Sequence, residues 1–175
     1  MCAGLRYLLI VACSQRKRRD LELLPAIKRY DGVYFRVLRK ARREGYWPEY
    51  LDVLIVSAKY GLVELHTLIE PYDLRMTLEQ AMRLKPLVVS ILAERVTSMT
   101  YAEVFLNVGK VYLVTLEGWN VRLSDDTTVV EFIPLSFCYD VPLTSQYSDR
   151  RHDPWQVYGS LSCSPVQWSS WISRA

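Results

Sequence analysis

Hydrophobic positions along this chain come in two spacings, and the two alternate. Largely apolar runs of strand length occupy residues 7 to 12, 53 to 56 and 104 to 108, the second of them unbroken and aliphatic. A weaker run at 129 to 133 follows the turn-rich Ser124-Asp125-Asp126. Such runs mark strands covered on both faces, as in parallel sheets flanked by helices. Between them the spacing becomes helical. Tyr34, Val37, Leu38 and Ala41 fall at i, i+3, i+4, i+7, which predicts a helix from an N-cap at Asp31 to Glu44, with Gly45 as its C′ residue. A shorter helical piece is predicted from Asp20 to about Arg29. Thr77-Leu-Glu-Gln80 reads as a capping box. Pro86 predicts a split into two helical pieces, the second with Val89, Leu92, Ala93 and Val96 on one face.

Alternation of strand and helix predicts an α/β fold. Three layers are expected: a mainly parallel central sheet, right-handed crossovers, and flanking helices. One domain should cover residues 1–143. From Thr144 the periodicity dissolves, and residues 144–175 read as an irregular, Trp-rich C-terminal extension carrying Trp155, Trp168 and Trp171.

Composition narrows this picture. Half of the 175 residues are hydrophobic and 23% are charged, a globular balance. No apolar run approaches the roughly 18 residues of a membrane helix, so no membrane partner is expected. Ile10-Val11-Ala12-Cys13 resembles a lipoprotein cleavage box. The apolar core before it is short, however, only Arg6 precedes it, and four cations follow directly, so a buried first strand is the expectation. Cys2, Cys13, Cys138 and Cys163 form no CxxC pair and no zinc-like grouping with His66 or His152, which predicts reduced thiols in a cytoplasmic protein and no metal. Neither GxGxxG nor GxxxxGK[ST] occurs. Ordinary dinucleotide enzymes and P-loop NTPases are therefore not expected, nor is a cofactor.

Charge is uneven. Residues 6–44 hold twelve Lys/Arg against four Asp/Glu, a net +8, and the remainder carries −5. Such asymmetry points to a polyanionic partner for the N-terminal part. Arg36, Arg39, Lys40 and Arg43 repeat along one face of the predicted helix. They form either a solvated outer face or a contact surface for a phosphate backbone.

In a parallel sheet the strand C-termini share one edge, and three polar clusters fall there. They are Cys13, Ser14 and Lys17; Ser57, Lys59 and Tyr60; and Asn107, Lys110 and Tyr112. Their convergence predicts one pocket where such folds bind ligands. Cys13 is a candidate nucleophile, favoured as thiolate by Lys17, or a small residue filling a tight strand end. Lys17 and Lys59 are candidates for phosphate or carboxylate binding, or for amine chemistry. Asp73 and Glu64 are candidate acid/base groups, although Asp73 could equally order its own turn. Gly61 supplies a residue able to take positive φ. A long irregular segment is expected after it, with His66 on its surface.

Cys13-Ser14-x-x-Lys17, Ser57-Ala-Lys59-Tyr60-Gly61-Leu62 and Glu70-Pro71-Tyr72-Asp73-Leu-x-Met76 together resemble the prokaryotic domain-of-unknown-function family 6884. Tyr30-Asp31-Gly32, Phe35 and Val104-Phe-Leu-x-x-Gly109-Lys110-x-Tyr112 also fit. YaaA-like peroxide stress proteins, associated with DNA binding and oxidative defence, are similar in a Ser-x-x-Lys after strand one and a Tyr-Gly-Leu…Pro-Tyr-x-x-x-Met segment. A domain of the archaeosine synthases, which modify a deazaguanine base in tRNA, is similar in its Cys-Ser-x-x-Lys start. This kinship implies that Cys13, Ser14, Lys17, Ser57, Gly61, Tyr72 and Asp73 line a pocket for a base or nucleotide. The chain departs from the pattern after Gly61, where a common proline is absent, and after Lys17, where the Pro-Tyr of the archaeosine synthases is missing.

Three function classes are expected from this reading, the third an interaction module whose Trp-rich tail docks a partner. In the first, Cys13, Lys17, Lys59 and Asp73 are the reactive groups of a nucleobase, nucleotide or nucleic-acid (DNA or tRNA) pocket, serving base modification. Ser14, Ser57, Tyr60, Gly61, Tyr72, Asn107 and Lys110 would then line it. In the second, the chain is a non-enzymatic DNA-binding stress protein using the basic helix.

Overall fold

The computed structural model describes residues 6–131. The end of the predicted domain at 143 and the Trp-rich extension lie outside the described residues. So do the last two residues of the weak fourth run.

Four parallel strands build the sheet: β1 (Arg6–Ala12), β3 (Leu51–Ser57), β6 (Tyr101–Asn107) and β7 (Thr128–Glu131). An antiparallel edge strand, β4 (Gly61–Glu64), completes the order β4-β3-β1-β6-β7. A small second sheet pairs β2 (Leu24–Pro25) with β5 (Leu68–Ile69). The fold is α/β with a mainly parallel central sheet, as the alternation predicts.

Helices cover both faces of the sheet. Helix α2 (Val33–Arg43) connects β1 to β3 and packs Phe35 and Leu38 on Val11, Val53 and Ile55. Helix α3 (Leu78–Ser98) connects β3 to β6 and packs Leu84, Val88, Leu92 and Val96 on the other face, over Leu8, Ile10, Leu54 and Val104. The central strand β3 therefore needs apolar side chains on both faces, which is why its sequence shows an unbroken run from Val53 to Val56. Successive connections leave β1 for opposite sides, so the sheet has its topological switch point at β1. In open α/β sheets ligands bind at the strand C-termini beside such a point.

Five local expectations are corrected. Helix α3 is continuous through Pro86. The proline costs about 3 kcal/mol inside a helix, but it sits on the exposed side, and four buried aliphatics spanning it contribute about 1.5–3 kcal/mol each. The piece expected from Asp20 is helical only at α1 (Ala26–Arg29), because Leu24 and Pro25 pair with Ile69 and Leu68 instead. The segment after Gly61 is in large part an edge strand. A positive φ of 76° at Gly61 turns the chain back along β3. The N-cap of α2 is Gly32, with Asp31 bound to Arg16 and Arg39; at the other end Gly45 takes positive φ as predicted. The buried stripe of α2 centres on Phe35 and Leu38, and Tyr34 is exposed. No described helix is long and apolar enough to cross a membrane.

Candidate functional site

Ser57 ends β3 and is completely buried. Its Oγ accepts the backbone N–H groups of Lys59 (3.3 Å) and Tyr60 (3.2 Å), which fixes the turn into β4. Gly61 closes that turn. A Cβ there would be strained by its φ and would approach Leu87 Cδ2 to 3.1 Å. Gln80 of α3 donates to the carbonyl of Ala58. Its side chain thus docks the helix on the turn, and only half of the predicted capping box forms, Thr77 Oγ1 accepting from the Gln80 N–H.

Two tyrosines converge on Ser57. Tyr30, at the end of α1 and fully buried, donates to Ser57 Oγ at 3.1 Å. Tyr72, half-buried, lies 3.0 Å from Ser57 Oγ and 2.7 Å from the Tyr30 hydroxyl. The rings of Tyr60 and Tyr72 meet edge to face at 5.5 Å. Burial, and next the neighbouring Cys13, push the hydroxyls of Tyr30 and Tyr72 far above the ordinary phenol range, so both stay protonated.

The connection after β1 runs beside this cluster. Lys17 bridges to Tyr30 in antiparallel sense, held by the N–H of Arg18 on the Arg29 carbonyl and that of Asp31 on the Arg16 carbonyl. Arg29 has no carboxylate partner among the described residues. Completely buried, it donates to the carbonyls of Arg18, Asp20, Glu22 and Ile69 and so clamps the whole connection. Lys17 Nζ is delivered 4.4 Å above the centroid of the Tyr72 ring, a cation–π contact, and makes no ion pair among the described residues. Lys59 Nζ lies 5.0 Å from the Tyr60 ring and 5.9 Å from that of Tyr72, and pairs with Glu70 at 3.0 Å. That hydrogen bond raises the Lys59 pKa.

Cys13 is buried just beyond β1, its Sγ 3.3 Å from the Tyr112 hydroxyl. Burial first, then Cys13, raises the Tyr112 pKa as well. Ser14 donates to the Arg16 carbonyl, and a Cβ on Gly32 would lie 2.6 Å from Ser14 Cβ, so glycine is required where these two segments cross. Asn107 ends β6. Its Oδ1 is buried without a partner among the described residues, as is the Tyr60 hydroxyl.

Cys13, Lys17, Ser57, Lys59, Tyr60 and Tyr72 are therefore joined through direct contacts with the tyrosines. Asp73 and Lys110 are exposed, and the Asp73 side chain has no hydrogen bond or ion pair among the described residues. Glu64 pairs with Arg95. On α2, Arg36 and Arg43 are exposed, Lys40 is half-buried, and Arg39 donates to the carbonyls of Ile27 and Tyr30 and to Asp31. Arg39 and Arg42 line an open hollow of about 400 Å³ with Pro25, Ile27, Lys28 and His66, which shares no lining residue with the tyrosine cluster. His66, expected to stand alone on the surface, is exposed but holds a 2.8 Å bond with Arg42. No group of three or more potential metal ligands gathers among the described residues.

Tyr30 and Gly32 are central here, yet strand-end reasoning put neither among the site residues; both belong to Tyr30-Asp31-Gly32, visible only as a motif. Tyr112, in the third strand-end cluster, meets Cys13 of the first.

Fold and cluster define an open α/β protein whose polar and aromatic groups gather at the strand C-termini beside the switch point. The chain belongs to a family of unknown function, DUF6884, whose family model matches residues 8–132. Comparison with curated proteins gives no match, and neither does comparison with solved structures.

Proposed function

We propose that the chain binds a nucleobase, a nucleotide or the end of a nucleic acid at the C-terminal edge of its sheet. The observation that carries this reading is the placement of Lys17 on the face of Tyr72 with no counter-ion among the described residues, while Lys59 flanks the same ring. Aromatic faces stack on bases, and cations beside them meet phosphate. The excess of positive charge in residues 6–44 adds long-range attraction. Similarity of the Cys13-Ser14-x-x-Lys17 start to archaeosine synthases, and of the Tyr60-Gly61-Leu62 segment to YaaA-like proteins, supports the same ligand class. In a base-modifying enzyme Cys13 would be the nucleophile candidate, and its buried contact with the neutral Tyr112 would have to open first.

Thermal stabilisation by nucleobases, nucleosides and nucleoside monophosphates tests the reading. A ligand at a hundred times its Kd should stabilise the protein by about 2.7 kcal/mol. Lys17→Ala should weaken binding at least about tenfold without lowering the stability of the free protein. Absence of stabilisation by every member of the panel would overturn the reading.

A further inference from the structure

The three hydroxyls at the heart of the cluster lie 2.7 to 3.1 Å apart, so each can give its proton to only one neighbour. One direction is set by geometry: Tyr30 donates to Ser57 Oγ. Having spent its proton there, Tyr30 can only accept from Tyr72 across their 2.7 Å contact. Tyr72 has then spent its own proton, and the 3.0 Å contact with Ser57 needs Ser57 as donor. The ring closes in a single sense, Ser57 to Tyr72 to Tyr30 to Ser57. The N–H groups of Lys59 and Tyr60, at 3.3 and 3.2 Å, share the one acceptor position that Tyr30 leaves on Ser57 Oγ.

Tyr30 and Ser57 are completely buried, and Tyr72, half-buried, is the member of the ring with exposed surface. We infer that the ring makes the Tyr72 hydroxyl an obligate hydrogen-bond acceptor, and that the C-terminal edge of the sheet selects ligands presenting an N–H donor to it. Lys17 and Lys59 would take the acceptor or anionic side of the same ligand. The selectivity rests on the ligand class proposed above; the sense of the ring does not. A closed ring also gives Ser57 a role distinct from nucleophile. It is a positioning residue that sets the polarity of Tyr72. The cost of leaving a donorless ligand against a buried, unsatisfied acceptor is what turns this polarity into discrimination.

Two measurements on the intact chain test this separately. In solution NMR of the free protein, the Tyr30 hydroxyl proton should show cross-relaxation to Ser57 Hβ, and the Tyr72 hydroxyl proton to the Tyr30 ring. Swapped contacts, or no protected hydroxyl proton on either residue, would overturn the ring whatever the ligand. In binding, adenine should exceed N6,N6-dimethyladenine by about tenfold in the wild type, and Tyr72→Phe should bring the two to equal affinity. Equal affinities in the wild type, or discrimination that survives Tyr72→Phe, would overturn the selectivity. If neither base binds, the selectivity falls with the ligand class, and the hydroxyl contacts still decide the ring.

Discussion

The two ends of the central strands carry buried tyrosines and are wired in opposite ways. At the N-terminal end, Arg6 of β1 holds both carboxylate oxygens of Asp52 of β3, at 2.7 and 2.9 Å. Tyr101 of β6 donates to the same carboxylate at 2.8 Å. Cation, anion and hydroxyl pair with one another across three strands, and only the buried Nε of Arg6 is left without a partner among the described residues. At the C-terminal end, the hydroxyls of Ser57 and two tyrosines bind one another and two backbone N–H groups, with no carboxylate among them, and Lys17 rests on an aromatic face. An end that only fastens strands together balances its charges. The other leaves a cation and a π-face over, and that surplus marks the place where something binds.

High pH should act most strongly, and on both ends. Burial raises the pKa of Tyr30 and Tyr72 at one end and of Tyr101 at the other above the ordinary value of 10.0. In the unfolded chain these phenols ionise near 10, while in the folded protein they stay protonated. The native state therefore binds more protons above pH 10. The stabilisation is complete below that pH and is lost as pH rises toward the folded pKa values, by about 1.4 kcal/mol per pH unit for each fully buried phenol. Denaturant midpoints between pH 9 and 11 check this. Tyr72→Phe should flatten the decline, and a decline unchanged in Tyr72→Phe would remove Tyr72 from it.

Asp52→Asn comes next. It leaves Arg6 without its counter-charge and should cost about 2 kcal/mol in urea unfolding with ligand affinity unchanged; an affinity loss would break the separation of the two ends. Ser57→Ala should cost about 1 kcal/mol of stability yet weaken ligand binding about tenfold, since Tyr72 loses the partner that orients it. Smallest in stability is Lys17→Ala, within about 0.5 kcal/mol of the wild type. A larger loss of stability in thermal melts would make Lys17 a structural group like Arg6.

The sheet was legible because every central strand is covered on both faces and announces itself as a largely apolar run. The location of the site was legible for a related reason: in parallel strands Cys13, Ser57 and Asn107 must share an edge. The wiring was not. Tyr30 reaches Ser57 across 27 positions of sequence, through a connection held by Arg29 and four backbone carbonyls, and no periodicity encodes that. Arg39 has the spacing of an outer-face cation, but three internal acceptors draw its guanidinium inward. Pro86 reads as a helix break only while the four aliphatic residues that pin both halves of α3 to the sheet are left out of account.

Chemical-shift mapping tests the contrast between the two ends most directly. A nucleoside monophosphate is titrated into the labelled protein at low salt, and backbone amide and aromatic shifts are followed. The shifts should concentrate on Lys17, Ser57 to Tyr60, Tyr72 and Asn107, and leave Arg6, Asp52 and Tyr101 unmoved. Shifts confined to Arg36, Lys40 and Arg43 on α2, or none at saturating nucleotide, would contradict a ligand site at the C-terminal edge.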